Sequence, residues 1–454
     1  MLQFLANDLI YEILCHFLPE LQLSVAESDL FPWYLGKICN SWRTVFISSP
    51  RFWSTLDINI DACLKEELPY HDSIFELVQL ALKRSNGCPL SLSITMHRVF
   101  EKNATSATIR MRTKDILEML VTHSMYWRDL CLVLHRSCYP TLYKANGQLP
   151  VLRSIKVPLQ PLQSVPQQIG SDLINFQDIF TNATQLTRVH SFFMIETYWR
   201  INWSPVTVIH LVEAMSLDDV IPTLRQTSAL EELVVGIIRD RMDPDFSIAP
   251  VHLPFLKVLY FPTLMFVSLL HTPGLEELYI AHNHWPVESD TDPLPITTVS
   301  GYFSTVPNLR KLAIYPVNPT DTLPILKQAP SKTRELAMYG SFISQQLTFA
   351  AANCAQLHNL KTISIGTRSH EIPHLLAKVK GWAQERQSAT ESGIGPFKNL
   401  AQFSLDFVPD KNCGILKPVK RLKRVLEEQG INFVSRIITE SEMNTLGMPP
   451  FNLF

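Results

Sequence analysis

The strongest constraint on the fold of this chain is one short apolar phrase that recurs eleven times from residue 127 onward. The phrase reads apolar, two residues, apolar, one residue, apolar, and its fourth and sixth positions point to the same face of an extended strand. The first, fourth and sixth positions are Trp127/Leu130/Leu132, Leu152/Ile155/Val157, Leu186/Val189/Ser191, Val206/Ile209/Leu211, Leu230/Leu233/Val235, Leu256/Leu259/Phe261, Leu275/Leu278/Ile280, Leu309/Leu312/Ile314, Thr333/Leu336/Met338, Leu360/Ile363/Ile365 and Leu400/Phe403/Leu405. Any buried strand can carry one such phrase, but eleven in near-regular succession predict an array of repeating units.

Successive phrases begin 19 to 40 residues apart, which brackets the 20–29-residue leucine-rich repeat and leaves room for insertions. Many units follow a proline, as in Leu253-Pro254-Phe255-Leu256 and Thr272-Pro273-Gly274-Leu275. The asparagine or cysteine of a strict repeat is missing, so the array resembles irregular leucine-rich repeats. That resemblance implies an α/β repeat solenoid with parallel strands on the inner face and helices or irregular returns outside.

Two flanking segments extend the array. Upstream, residues 72–85 and 113–123 have helical periodicity, and the alternation of residues 90–94 predicts a strand between them. Downstream, residues 417–430 predict a basic terminal helix, and residues 431–434 a closing strand. The basic residues of that helix are either the solvated face of a cap or a patch for nuclear import or phosphate contact.

Composition excludes several classes of protein for this chain. With 454 residues, the chain is too long for one compact core. Its net charge of -2 provides no field that would attract nucleic acid or an anionic membrane. Eight cysteines without CxxC pairs favour a reduced compartment, cytoplasmic or nuclear. The apolar window from Val258 to Leu270 contains Pro262 and is too short to span a bilayer.

No catalytic residues, metal site or cofactor site are predicted. His282 and His284 lie close together, but two further ligands at workable spacing are missing, so surface histidines on a turn are favoured. The run Gly393-Ile394-Gly395-Pro396 lacks the third glycine of a phosphate-binding loop. An enzyme with an unusual fold would need a cluster of titratable groups that the sequence does not indicate.

The first 53 residues hold two apolar helical patterns and a short third turn. Leu5, Leu9 and Ile13 recur at four-residue spacing, and a neighbouring row consists of Ile10, Leu14 and Phe17. A second pattern over residues 35–46 predicts another helix, and residues 50–53 a third turn. So small a module needs a neighbour to bury its apolar side. It is either the cap of the array or a docking module.

Three motifs within this module resemble an F-box. The run from Leu5 to Leu14 is similar to the opening Leu-Pro-x-Glu-hydrophobic pattern, with Ala6 in place of the proline and Asp8 in place of the glutamate. Residues 38–43, Ile-Cys-Asn-Ser-Trp-Arg, resemble the Val-Cys-x-x-Trp-Arg signature, and residues 49–53 the closing Thr-Pro-x-Leu-Trp pattern. The long connection between the helices is similar to that of fungal F-box-like proteins.

The resemblance implies a non-catalytic, substrate-recognition subunit of a cullin–RING ubiquitin ligase. The module would bind the adaptor subunit, and the repeats an unknown protein substrate. The implied domains are residues 1–55 for the F-box-like module, 56–125 for the first strand and helix units, 126–440 for the irregular array and 441–454 for the tail. The implied adaptor-facing residues are Leu5, Leu9, Ile10, Ile13, Leu14, Leu35, Ile38 and Trp42.

Position within the phrase predicts a substrate surface. If positions one, four and six point inward, positions three, five and seven face the open side of the sheet. Tyrosine is enriched at binding hot spots and is also favoured in strands for its own sake. The tyrosines that we expect in a partner-binding patch are Tyr260, Tyr279, Tyr315 and Tyr339.

The alternative function is a repeat scaffold that does not engage a ubiquitin ligase, which Ala6 and the minimal N-terminus favour.

Overall fold

A computed structural model describes most of the chain, in segments. The described residues are 5–16, 23–24, 33–60, 71–96, 104–134, 138–157, 178–191, 200–211, 217–236, 249–261, 267, 269–281, 296–315, 319–340, 343, 359–388, 399–408 and 416–439. The predicted tail at 441–454, the histidines at 282 and 284 and the glycine run at 393–396 lie outside these residues. The chain divides into two compact units, Met1–Leu211 and Val212–Phe454.

In the first unit, seven described strands form one parallel sheet. The strands are β1 Leu23–Ser24, β2 Thr55–Asn59, β3 Leu90–Thr95, β4 Trp127–Val133, β5 Ser154–Val157, β6 Arg188–Ser191 and β7 Val208–Leu211. They lie side by side in chain order, each parallel to the next. The helices are α1 Asn7–His16, α2 Asn40–Ser48, α3 His71–Ser85, α4 Ala104–Val121 and α5 Tyr139–Tyr143, with 3-10 turns at Trp33–Lys37, Pro50–Trp53 and Ser124–Tyr126.

The second unit follows the same plan. Its strands are β8 Glu232–Val235, β9 Val251–His252, β10 Val258–Phe261, β11 Leu270–His271, β12 Glu277–Ala281, β13 Lys311–Tyr315, β14 Glu335–Tyr339, β15 Thr362–Arg368, β16 Gln402–Val408 and β17 Asn432–Ile437. All pair in parallel. They lie in chain order in one sheet except β9 and β11, which pair with each other in a separate two-stranded sheet. The helices are α6 Leu217–Gln226, α7 Ile296–Thr305, α8 Pro319–Gln328, α9 Ile372–Ser388 and α10 Leu416–Glu427, with a 3-10 turn at Ser369–Glu371.

The predicted α/β class and its parallel strands are confirmed, since all eleven phrases fall on strands of these sheets. Every first, fourth and sixth position of the phrases is buried. The fourth positions also stack in register from strand to strand, for example Leu259 on Leu278 on Leu312. Stacking therefore produces a continuous apolar row that no single unit could bury alone.

The prolines before the phrases act through tight turns. The amide of Leu256 donates to the carbonyl of Leu253 at 3.3 Å, and Leu275 to Thr272 at 3.1 Å, across the intervening prolines. Proline fixes φ near the value that the second position of such a turn requires. At Gly274, a Cβ would lie 2.6 Å from the carbonyl oxygen of Pro254, so glycine permits the close approach of successive turns.

Two features of the first unit differ from the sequence-based expectation. The pattern over residues 35–46 does not form one helix: a 3-10 turn ends at Lys37 and α2 begins at Asn40. Cys39 between them is extended, at φ -163° and ψ 174°, which interrupts the helical hydrogen bonds. Neither β1 nor β2 was predicted, although Leu56 and Ile58 of β2 alternate with polar residues as a half-buried strand requires.

Candidate functional site

An aromatic cluster anchors the N-terminal module to the array. Phe46, Phe52 and Trp53 are buried, and the ring centroids of Phe46 and Trp53 lie 5.3 Å apart. The indole Nε1 of Trp53 donates to the carbonyl of Phe46 at 2.9 Å, and the guanidinium of Arg84 on α3 lies 4.4 Å from the Trp53 ring centroid. The closing aromatic motif of the module therefore packs against the first helix of the array.

Helix α1 carries two adjacent apolar rows with different surroundings. Ile10 and Leu14, one turn apart, are fully buried where α1 packs against α2. Leu9 and Ile13 form the next row: Leu9 is 55% exposed and Ile13 is half-buried. Because residues four apart lie above one another on a helix, this second row is an apolar ridge that continues out of the core.

The eight predicted adaptor residues therefore divide into two groups. Ile10, Leu14, Leu35 and Trp42 are buried within the chain. The remaining residues are accessible in whole or in part, and they are Leu5, Leu9, Ile13 and Ile38. Ile38 is 40% exposed because it lies at the interruption between the 3-10 turn and α2. A partner of the module can contact the second group without unfolding the first.

On the open face of the second unit, the fifth phrase position forms one buried row. Its members, in register on consecutive strands, are Val234, Tyr260, Tyr279, Ala313 and Ala337. Tyr260 is 1% and Tyr279 is 4% exposed, and Tyr315 and Tyr339 pack against the row. Large rings beside alanines fill the face, so this row is a second apolar core.

The hydroxyl of Tyr279 is held by two charged neighbours. It donates to the Glu277 carboxylate at 2.6 Å and accepts from the Lys311 ammonium at 2.6 Å. Burial raises the pKa of Tyr279, and the hydrogen bond and charge of Glu277 raise it further. Burial likewise raises the pKa of Tyr260. Both phenols are therefore neutral and act as packing groups with a polar tip.

Tyr339 lies over a glycine on the next strand. Gly366 is in register with Tyr339, and a Cβ at Gly366 would overlap Cδ1 of the Tyr339 ring. Burial raises the pKa of Tyr339 to about 12. Of the four tyrosines predicted to bind a partner, the two that a partner could contact directly are the half-buried Tyr315 and Tyr339.

On the open face of the first unit, the fifth-position row is polar. Its members, in register from β2 to β7, are Asp57, Ser93, Cys131, Lys156, His190 and His210. All are half-buried except His210, which is buried. Burial raises the pKa of the Cys131 thiol, so this free cysteine is not an activated nucleophile.

Sequence reasoning recovered only part of this row. Lys156, His190 and His210 follow from their place in the phrase, but Asp57 does not, because β2 precedes the first phrase. The alternation of apolar and polar residues over 56–60 is the sequence signal that could have identified β2, and with it Asp57. Nothing in the sequence indicated which row of the open face would be buried, since that depends on the sizes of residues on neighbouring strands.

In the described ranges, no three histidine, cysteine or carboxylate side chains are grouped as metal ligands. Of the helices described, none has the length and apolarity that a bilayer crossing requires. The candidate sites are therefore surfaces: the apolar ridge on α1, the polar open face of the first unit and the packed open face of the second unit.

The chain was also compared with known proteins. Models of known protein families do not match it. A search of curated proteins found no match either.

Proposed function

We propose that this protein is the substrate-recognition subunit of a cullin–RING ubiquitin ligase. The N-terminal module binds the small adaptor subunit, and the strand array binds a protein substrate. A separate enzyme supplies ubiquitin, and this chain contributes by tethering the substrate nearby. The resemblance of residues 5–53 to an F-box supports this proposal.

The observation that carries the proposal is the exposed second row of α1. Soluble helices normally turn polar residues to solvent beside a buried stripe, yet Leu9 and Ile13 continue the stripe outward. Ile38 adds a third accessible apolar side chain from the other signature motif. Such accessible apolar groups on a module fixed to its own array by Phe52 and Trp53 suit a docking surface.

A second candidate function is a repeat scaffold in which the module is only a cap. The observation in its favour is that Ile10, Leu14, Leu35 and Trp42 are buried against the chain itself. Half of the predicted adaptor surface therefore already has a structural role. Ala6, in place of the family's proline, favours the same alternative.

Co-expression with the adaptor subunit separates the two functions. We expect the chain and the adaptor to purify as a stable complex. Leu9→Asp and Ile38→Asp should each weaken the complex at least tenfold, because each places a charge in a desolvated apolar contact. Affinity is measured by titrating labelled adaptor into the purified chain.

The matched control is Ile47→Asp. Ile47 is an exposed apolar residue of α2 outside the predicted adaptor set, and its change should leave adaptor affinity within twofold. Circular dichroism must show that all three variants remain folded. If the unaltered chain and the adaptor form no complex at micromolar concentration, the ligase function is rejected and the scaffold function remains.

A further inference from the structure

The open face of the first unit has a cationic end at strands β5 to β7. Lys156 is in register with His190, and His190 with His210. Arg188 lies two residues before His190 on the same face of β6. Since neighbouring strands are about 4.8 Å apart, these four side chains share an area small enough for one ligand group.

The two permanent charges of this end have no counter-ion within the described ranges. Among the residues that the structure describes, no carboxylate forms an ion pair with Lys156 or Arg188. Asp129 on β4, two strands from Arg188 on the third-position row, already accepts hydrogen bonds from Arg128 at 2.8 Å and Ser91 at 2.7 Å. Unpaired cations on adjacent strands favour an external anion.

The two histidines add an imidazole platform. Their ring centroids lie 4.3 Å apart at 84°, an edge-to-face arrangement. Burial first, then the charges of His210, Lys156 and Arg188, lower the pKa of His190 to about 3. The imidazole of His190 is therefore neutral, and it lies in register with Lys156 and on the same face of β6 as Arg188.

We propose that this cationic end binds an anionic side chain of a protein segment, either a carboxylate or a phosphoryl group. Arg188 offers paired N–H donors, Lys156 a point charge, and the half-buried His190 one N–H when neutral. Ser154 on β5, in register with Arg188, supplies a hydroxyl for the rest of the segment. The proposal rests on the proposed function for one point alone, which is that the bound segment belongs to the ligase substrate.

The experiment follows the histidine side chains of the full chain, labelled with ¹³C in the imidazole, by NMR. The probes are acetate, inorganic phosphate and two Ser/Gly peptides, one with a central phosphoserine and one with glutamate in its place. We expect saturable shifts of the His190 and His210 signals, assigned with His190→Gln and His210→Gln. The tighter of the two peptides identifies the anion as phosphoryl or carboxylate.

Two variants test the residues. Lys156→Met and Arg188→Met should each weaken peptide binding about tenfold or more, since each removes a charge-assisted hydrogen bond. The control is Lys417→Met, an exposed lysine of α10, which should leave the affinity unchanged. A thermal melt of each variant reports whether it is folded.

Three results would overturn the proposal. They are histidine signals that no probe shifts, peptide affinities that neither variant changes, and inorganic phosphate that binds more tightly than every peptide. The assay contains no adaptor, so it is independent of the co-expression experiment. A failed adaptor complex with intact peptide binding would reject the ligase function alone.

Discussion

On the open face of the first unit, the fifth-position row includes Asp57, Lys156 and His190, while in the second unit the same row includes Tyr260 and Ala313. The backbone plan of the two rows is the same, because both come from parallel strands in chain order. Only side-chain size and polarity differ. The same position on successive parallel strands can therefore form either a polar surface or an additional apolar core.

The difference has a physical cause. A tyrosine ring beside alanines on neighbouring strands can lie over them and exclude water, as the Tyr260, Tyr279, Ala313 and Ala337 row does. Charged residues of similar length cannot do so without losing hydration. The first unit therefore retains accessible charge, and the second unit gains packing.

The largest expected effect tests the buried face of the second unit. Tyr260→Ala should lower the free energy of unfolding by about 3–5 kcal/mol, because it removes a fully buried ring and leaves a cavity. Urea unfolding followed by circular dichroism measures this change. The matched change on the polar face is Ser154→Ala, at a half-buried third position of β5, which should cost less than about 0.5 kcal/mol. Equal costs would contradict the contrast between the faces.

A smaller effect tests the packing between ring and glycine. Gly366→Ala should cost about 1–3 kcal/mol, because the new methyl group overlaps the Tyr339 ring. The cost should disappear in a Tyr339→Ala background, which a double-mutant cycle measures. Gly381→Ala is the control: its Cβ has open space within α9, so the change should stabilise the chain by about 0.5–1 kcal/mol. A cost that persists without the Tyr339 ring would have another origin.

The smallest effect tests, through pH, whether His190 on the open face of the first unit is a buried, neutral imidazole. The pKa of His190 is lowered from 6.5 to about 3 in the folded chain. As pH falls below about 6.5, the unfolded chain binds a proton that the folded chain does not, so stability decreases until about pH 3. Between pH 7 and pH 5 this loss is about 1–2 kcal/mol.

The variant His190→Gln should reduce that pH dependence, as urea unfolding at pH 7 and pH 5 would reveal. The control is His374→Gln, at an exposed histidine of α9, which should leave the slope unchanged. Equal slopes for the unaltered chain and His190→Gln would remove the argument for a buried, neutral imidazole at this position.

Sequence periodicity predicted the strands well because burial of the first, fourth and sixth positions is a local requirement of each unit. Leu259, Leu278 and Leu312 are in the predicted orientation for that reason. The helical module was predicted less well. A four-residue pattern does not distinguish a continuous helix from a 3-10 turn followed by α2, so the extended Cys39 was missed.

The candidate sites required more than periodicity. Residues on one strand give no information about the side chains that lie beside them, and those neighbours come from units 19 or more residues away. Tyr260 was predicted to face a partner, and it lies on the predicted face, but Tyr279 and Ala313 beside it close that face to solvent. On α1, the pattern predicted both apolar rows without indicating which would be covered.

The sequence by itself determined the α/β class, the positions of the eleven phrase strands and the inward row of each, because these follow from a spacing that every unit repeats. The tertiary structure alone decided that Leu9 and Ile38 are accessible while Leu14 and Trp42 are not. It also decided that one open face is polar and the other is packed. Exposure depends on what lies beside a residue in space, and in a stack of units that neighbour is distant along the chain.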